Sequence, residues 1–166
     1  MASRKECCTL KLMFARYCFV FVLSLLSFSA SAQPQLFSVR NLEGYYLHEK
    51  ISLKRGLNFF SIGDKKTFVK YFGNIEKEDT PDFAKEQVIV MAMPPSQKES
   101  ILGFFPNGIK AGLKLEIYCQ LDLNKGKIPY TWYPIAVAAI PRYLHVREIH
   151  FYDEKNKKLL KKVKLK

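Results

Sequence analysis

The stretch "LKLEIYCQLDL", Leu113 to Leu123, alternates apolar and polar residues without a break. Successive side chains of a β-strand point to opposite faces, so this pattern predicts a half-buried strand with its apolar face on the core. Burying that face contributes on the order of 10 kcal/mol before the entropy of folding is counted. Cys119 shares the apolar face, so we expect its thiol to be buried. The fold is therefore expected to be built on a sheet.

Downstream, "NKGK" at residues 124–127 is typical of a turn. It predicts that the next run, "IPYTWYPIAVAAIP", folds back on the first strand as an antiparallel hairpin. That run is apolar on both faces, as in a strand covered on both sides. Its three prolines, Pro129, Pro134 and Pro141, predict strand ends, a bulge or an edge, because proline cannot donate a ladder hydrogen bond.

Other segments complete the predicted sheet. "GYYLHEKISL" (residues 44–53) and "LNFFSI" (residues 57–62) are each predicted to form a strand. "HVREIHFY" and "KLLKKVKL" flank "DEKNK", and this arrangement predicts a closing hairpin over residues 145–165.

One helix is predicted, over "KKTFVKYF". Asp64 is a good N-cap, Phe68 and Phe72 share one face, and Gly73 can end the helix in the left-handed conformation. The fold class is therefore α+β, a mainly antiparallel β sheet or sandwich with one short helix near residues 65–72. Strands and helices do not alternate, so a nucleotide-binding fold is not expected.

The N-terminus has the pattern of an export signal. Basic residues precede the eleven-residue apolar run "CFVFVLSLLSF", and "SASA" follows, ending at Ala32. This pattern predicts a signal peptide over residues 1–32, cleaved after Ala32, and a periplasmic or secreted protein. Because the run is shorter than the roughly 20 residues of a membrane-spanning helix, we expect no span after cleavage. A retained anchor is the alternative, and translation can also begin at Met13.

Residues 33–166 are predicted to form a single β-rich domain that ends in a lysine-rich strand or tail, residues 155–166. The formal net charge of +12 is concentrated in the signal and in this tail. The domain between them is close to neutral. Cys119 is the only cysteine after residue 32, so no internal disulfide is expected.

We expect neither a metal or cofactor site nor catalysis. If "HVREIHFY" is one strand, His145 and His150 point to opposite faces and cannot share an ion. An apolar environment raises the pKa of a thiol, which makes Cys119 a poor nucleophile. The density of acids at Glu76, Glu78, Asp79, Asp82 and Glu86 suggests an acid–base pair or a calcium loop, but the calcium-loop pattern with its central glycine is absent, and we interpret these acids as a solvated loop at the entrance to a strand. A small hydrolase using Cys119 stays the third hypothesis.

A family resemblance starts in the same region. "DFAKE" followed by "QVIVMAM" (residues 82–93), and "YTWYP" (residues 130–134), resemble the C-terminal domain of the protease-stabilising subunit PrcB and a set of small exported bacterial proteins. The likeness extends from about Phe68 to Phe151. The paired-glycine turn usual after the first central strand is replaced here by "PPSQKESILGFFP". The resemblance implies a β-rich, non-catalytic domain that contacts another protein, such as a protease.

Two groups of residues are candidates for partner binding. Tyr130, Trp132 and Tyr133 either form a platform for a partner side chain or a sugar ring, or fill the core with the other aromatic residues. The second group lies in the tail and comprises Lys161, Lys162 and Lys164. These lysines either bind anionic lipid or polysaccharide, or protect an edge strand from aggregation.

Taken together, the sequence predicts an exported, non-catalytic binding or regulatory domain that contacts another envelope protein. The alternative is an envelope polyanion or glycan binder that uses the lysines and the exposed aromatic residues. Nucleic acid is not an expected partner, because the charge is confined to a short tail without a recognised binding module.

Overall fold

Strands dominate the computed structural model, which describes residues 33–75, 77–123 and 126–165. The predicted signal peptide, residues 1–32, lies outside the described residues. The unit Pro34–Lys166 contains the elements that follow in chain order. They are β1 (Gln35–Ser38), β2 (Arg40–Leu42), β3 (Asn58–Ile62), α1 (Lys65–Phe72), β4 (Glu86–Ala92), β5 (Ser96–Lys98), β6 (Ile101–Phe104), β7 (Asn107–Ala111), β8 (Lys114–Asp122), β9 (Lys127–Trp132), β10 (Ile135–Pro141), β11 (Glu148–Asp153) and β12 (Leu159–Lys164). The predicted α+β class with one short helix is confirmed.

The strands form two sheets and a ribbon. Sheet A has the order β1-β7-β8-β11-β12, with β6 also paired to β8. Sheet B has the order β2-β10-β4-β3 and is antiparallel throughout. The ribbon consists of β5 and β9. The described helix, α1, is far too short to cross a membrane, and no other described segment is a long apolar helix.

The alternating stretch forms β8 as predicted, but its two end leucines, Leu113 and Leu123, lie outside the strand and are exposed, so the predicted burial holds only for the middle of the apolar face. Leu115, Ile117 and Cys119 are fully buried, while the intervening residues are partly exposed. One edge of β8 pairs in parallel with β11, and the other edge pairs with β7 and then with β6. The predicted hairpin between β8 and the following run is wrong, because both edges of β8 are occupied and β9 pairs with β5 instead.

Strands β4 and β10 separate two hydrophobic cores. Ile89 and Met91 face the core between the two sheets, whereas Val88 and Val90 belong to the core between sheet B and α1. Strand β10 also contributes side chains to both cores. This confirms, for the β10 part of "IPYTWYPIAVAAIP", the prediction that both faces of the strand are covered. The prediction fails for β9, whose residues are mostly exposed.

Helix α1 begins as the sequence predicts. The Asp64 carboxylate accepts hydrogen bonds from the backbone N–H of Thr67 at 2.7 Å and from its hydroxyl at 2.8 Å. Phe68 and Phe72 are buried against sheet B. Gly73 ends the helix with φ 84° and ψ 176°, which is a glycine conformation but not the left-handed helical one that was predicted.

The segment before β3 differs from its prediction. Residues 44–53 form no strand, although Tyr45, Leu47 and Leu53 pack on the core beneath α1. Apolar periodicity indicates which side chains are buried. In this segment the side chains pack on the core although the backbone does not pair with another strand.

The charged entrance to β4 behaves as predicted. Asp82 accepts a hydrogen bond from the Ala84 N–H at 3.0 Å, which makes a local turn. The Glu86 carboxylate pairs with Arg40 at 2.8 Å and also accepts the N–H of Asp82. These carboxylates therefore stabilise a turn and a strand entrance.

Candidate functional site

The aromatic residues of β9 and of the segment that follows it lie on the surface. Tyr130 is 56% exposed, Trp132 is 36% exposed and Tyr133 is 60% exposed. The core-filling interpretation holds for Phe104, which is 5% exposed, but is wrong for these three side chains. The β5–β9 ribbon belongs to neither sheet, and most residues of β9 are exposed.

These side chains border a groove of about 650 Å³. We call it the aromatic groove and define it by its exposed apolar walls, Tyr46, Ile101, Tyr130, Trp132 and Tyr133. Its lining also includes buried parts of β2 and β10, such as Leu42 and Val137. The volume is within the range of about 300–1,000 Å³ found for ligand pockets in proteins.

The central indole of the groove is held in place. Trp132 donates its Nε1–H to the backbone carbonyl of Ser100 at 2.8 Å. The Tyr130 ring packs edge-on against the indole, with 6.5 Å between ring centroids. Because the only indole donor is already used, Trp132 offers a partner apolar surface in a fixed orientation, which lowers the entropic cost of binding.

The wall at Tyr46 is positioned by its buried neighbour. Tyr45 is 2% exposed, and its hydroxyl donates to the Asp79 carboxylate at 3.1 Å. Burial raises the pKa of the Tyr45 phenol, so this donor stays protonated. Lys77 donates to the carbonyls of Glu43 and Gly44, both at 3.0 Å, and lies 4.7 Å above the Tyr45 ring. These contacts of Tyr45 and Lys77 therefore hold in place the turn that exposes Tyr46.

The electrostatic character of the groove is simple. Among the described residues that line it, Glu43 is the one with a charged side chain. Uncharged polar residues such as Asn41, Ser100 and Thr131 also line the groove, and none of its described lining residues is a cation that would attract an anionic polymer.

The candidate lysines lie elsewhere. Lys161, Lys162 and Lys164 are exposed on β12, which ends sheet A and forms the predicted hairpin with β11. A register shift lies between Phe151, which pairs with Lys161, and Tyr152, which pairs with Leu159. As a result Leu160, rather than Leu159, packs on the core beside Val163.

The two candidate groups are not brought together. Lys164 lines a different cleft from the aromatic residues, and Lys161 and Lys162 line neither. A combined surface of aromatic rings and lysines, as in the polyanion or glycan hypothesis, is therefore absent from the cavities formed by the described residues.

Cys119 is enclosed in the core between the sheets. It is 0% exposed, and burial raises the pKa of its thiol to about 12, with a further contribution from the nearby Asp153 carboxylate. A thiol in this state does not provide the thiolate that nucleophilic attack requires.

The histidines do not meet either. His145 lies in a turn, and β11 begins only at Glu148. The prediction that His145 and His150 lie on one strand is therefore wrong. His150 is 7% exposed, and its Nε2 lies 2.9 Å from the Glu148 carboxylate. Across the described ranges, no three His, Cys, Asp or Glu side chains are grouped so that they could hold a metal ion.

Sequence reasoning identified one wall of the groove and missed the others. Tyr130, Trp132 and Tyr133 were singled out by their density in "YTWYP", whereas Tyr46 and Ile101 come from distant segments. The available signal for Tyr46 was its position next to the buried Tyr45, because adjacent residues of an extended chain face opposite sides.

Comparisons with protein-family models, with curated proteins and with solved structures found no match to this chain.

Proposed function

We propose that the protein is an exported, non-catalytic binding domain that holds another envelope protein in its aromatic groove. The observation that carries this proposal is the placement of Tyr130, Trp132 and Tyr133 around one groove, each of them at least a third exposed. Tyrosine and tryptophan are enriched where proteins bind each other and dominate the energy of such interfaces. Soluble monomers rarely expose several large apolar side chains in one patch, and such patches often mark binding sites.

The chemistry of the groove defines the partner segment. The walls are apolar and the one charged lining residue is Glu43, so the segment presents apolar side chains and is neutral or basic. The predicted signal peptide supports a partner in the envelope. The resemblance of "DFAKEQVIVMAM" and "YTWYP" to the PrcB domain supports a protease as that partner.

Site-specific cross-linking tests this proposal. A photoreactive benzoylphenylalanine replaces Tyr133 in cells that export the protein, and the same residue replaces Leu36 as a matched control. Leu36 is 70% exposed on β1 and does not line the groove. We expect a discrete protein adduct at Tyr133, mapped to an apolar or basic segment of the partner, and no such adduct at Leu36. Equal adducts at both positions, or none at Tyr133, would overturn the proposal.

A surface for anionic polymers is the second candidate function. It is favoured by Lys161, Lys162 and Lys164, which stand exposed on the edge strand β12. Deleting residues 155–166 is a poor test, because Leu160 and Val163 pack on the core. The double variant Lys161→Gln/Lys162→Gln keeps those contacts. If this function holds, the variant loses salt-sensitive binding to phosphatidylglycerol vesicles, and unchanged binding rejects it.

A further inference from the structure

A second cleft opens at one end of the sandwich, away from the aromatic groove. It has a volume of about 540 Å³ and lies between the end of β3, the β10–β11 connection and the end of β12. We call it the end cleft and define it by six of its lining residues. They are Ser61, Asp64, Gln87, Arg142, Leu144 and Lys164.

Gln87 is the unusual residue of the end cleft. It is 6% exposed on β4, whose following residues, from Val88 to Ala92, are all apolar and buried. Its side-chain Nε2 is fully buried and has no hydrogen-bond partner among the described residues. A buried donor without an acceptor is unfavourable, and native proteins contain few of them. Because Nε2 is closed off from the cleft, an acceptor in the cleft would remove this penalty once the Gln87 side chain turns toward the opening.

Two cations line the same cleft. The Arg142 guanidinium donates from Nη1 to the carbonyls of Gly63 and Phe83, at 3.4 Å and 3.2 Å, which holds it at the cleft wall. A guanidinium has five N–H donors, so further donors remain for a ligand. Lys164 is exposed at the end of β12 and contributes a second positive charge.

The one acid of the defining set is already satisfied. Asp64 accepts both the backbone N–H and the hydroxyl of Thr67, and the bond from the N–H is the main reason why the pKa of its carboxyl is lowered. Asp64 is therefore ionised at neutral pH, and it also occupies the N-terminal end of α1. The donors offered to a ligand are Gln87, Arg142 and Lys164.

We propose that the end cleft is a binding site for a carboxylate group, which accepts a hydrogen bond from the buried Gln87 amide and is balanced by Arg142 and Lys164. The lining carries two cations and one acid, and Glu148 lies opposite Lys164 on the neighbouring strand, so the small positive surplus suits a monoanion better than a phosphate dianion. Leu144, which is 88% exposed, lines the same cleft and offers an apolar contact to the chain that bears the carboxylate. The C-terminus of a peptide and a small organic acid both have this chemistry.

A titration followed by NMR separates these sources. The probes added to the purified ¹⁵N-labelled protein are N-acetyl-Ala-Leu with a free carboxyl, its C-terminal amide, acetate and inorganic phosphate. We expect the resonances of the Gln87 side-chain NH₂ group to shift when N-acetyl-Ala-Leu or acetate is added. They should not shift when the C-terminal amide of the dipeptide is added. Tighter binding of the dipeptide than of acetate identifies a peptide C-terminus, and equal affinity identifies a small acid. Resonances that no carboxylate moves, or that the amide or phosphate moves as strongly, would overturn the site.

Three variants sharpen this test. Gln87→Met keeps the length of the side chain and removes the donor, so we expect affinity to fall at least about tenfold, since hydrogen bonds to ionised acceptors are strong. The melting temperature should not fall, because the unpaired donor is removed. Lys164→Gln should weaken binding in low salt, whereas Lys161→Gln, on the same strand but outside the cleft, should not. Wild-type affinity in Gln87→Met, or equal losses in the two lysine variants, would contradict the proposal. If Gln87→Met fails to fold, the lysine pair decides.

Discussion

Two groups of aromatic side chains in this domain have similar chemistry and opposite positions. The inner aromatic cluster, Tyr45, Phe68 and Phe72, is at most 4% exposed, and its ring centroids lie 4.8–5.8 Å apart between sheet B and α1. In the aromatic groove, Trp132 and Tyr133 are 36% and 60% exposed. The difference shows that composition does not decide the role of an aromatic residue here. What decides it is whether the side chain packs between two layers, as the inner aromatic cluster does between sheet B and α1.

The cover follows from the pairing of the strands. Sheet B is covered by an amphipathic helix whose apolar face carries Phe68 and Phe72. Strand β9 finds no such place, since both edges of β8 are taken and its own partner β5 is three residues long. Its aromatic residues Tyr130 and Trp132 therefore stay exposed. The following predictions test this division between stability and recognition, from the largest expected effect to the smallest.

Phe68→Ala is expected to have the largest effect on folding. Removing a buried phenylalanine typically costs about 3–5 kcal/mol of the free energy of unfolding, and the Phe68 ring contacts Tyr45 and Phe72. Chemical denaturation measures this loss. Tyr130→Ala in the groove, measured in parallel, should cost less than about 1 kcal/mol. Similar losses in the two variants would erase the distinction between the two groups.

Gly108→Ala is expected to follow. Gly108 lies opposite Phe37 in the β1–β7 pair, and a Cβ at this position would overlap the end of the buried Phe37 ring. Overpacking of this kind costs about 1–3 kcal/mol of the free energy of unfolding. Gly103→Ala is the matched control, because a Cβ there meets only the Gln120 side chain, at 3.7 Å. A control as unstable as Gly108→Ala would show that strand glycines matter for another reason.

Trp132→Phe should have an intermediate effect on the fold. It removes the N–H that donates to the Ser100 carbonyl and keeps an aromatic ring in the groove. The loss of one such hydrogen bond costs about 1 kcal/mol of the free energy of unfolding. Thermal denaturation measures the resulting decrease in melting temperature. A loss as large as that of Phe68→Ala would mean that the groove is part of the core.

The smallest effect is expected outside both groups, at Glu148. The hydrogen bond from His150 is the main cause that lowers the pKa of the Glu148 carboxyl in the folded protein. A lowered pKa contributes stability that is present above the unfolded value, about 4.3, and is lost as the pH falls through the folded value. Melting temperatures of wild type and Glu148→Gln should therefore differ at pH 7 and converge toward pH 3. Glu49→Gln, on an exposed loop, controls for net charge, and a gap that widens in acid would contradict this assignment.

Local features of the fold could be predicted from the sequence, and long-range pairings could not. The strand within Leu113–Leu123, the Asp64 cap and the closing hairpin each depend on neighbouring residues and were confirmed, although the two end leucines are exposed rather than buried. Alternation fixes which face of β8 is buried but not which strands lie beside it. The parallel partner β11 and the pairing of β9 with β5 were therefore missed.

The candidate site divides in the same way. The "YTWYP" cluster could be found because its members are close in sequence, whereas Tyr46 and Ile101 reach the groove only through the packing of separate segments. In the end cleft, Gln87 is one polar residue beside an apolar run, and its missing partner is visible only in three dimensions.

The most direct test of the division between the two aromatic groups is the affinity of the cross-linked partner, measured by titration calorimetry. The protein is compared with Tyr130→Ala/Tyr133→Ala, whose two rings are more than half exposed. We predict binding about 100-fold weaker, with the free energy of unfolding changed by no more than about 1 kcal/mol. Unchanged affinity in a folded double variant would contradict the account.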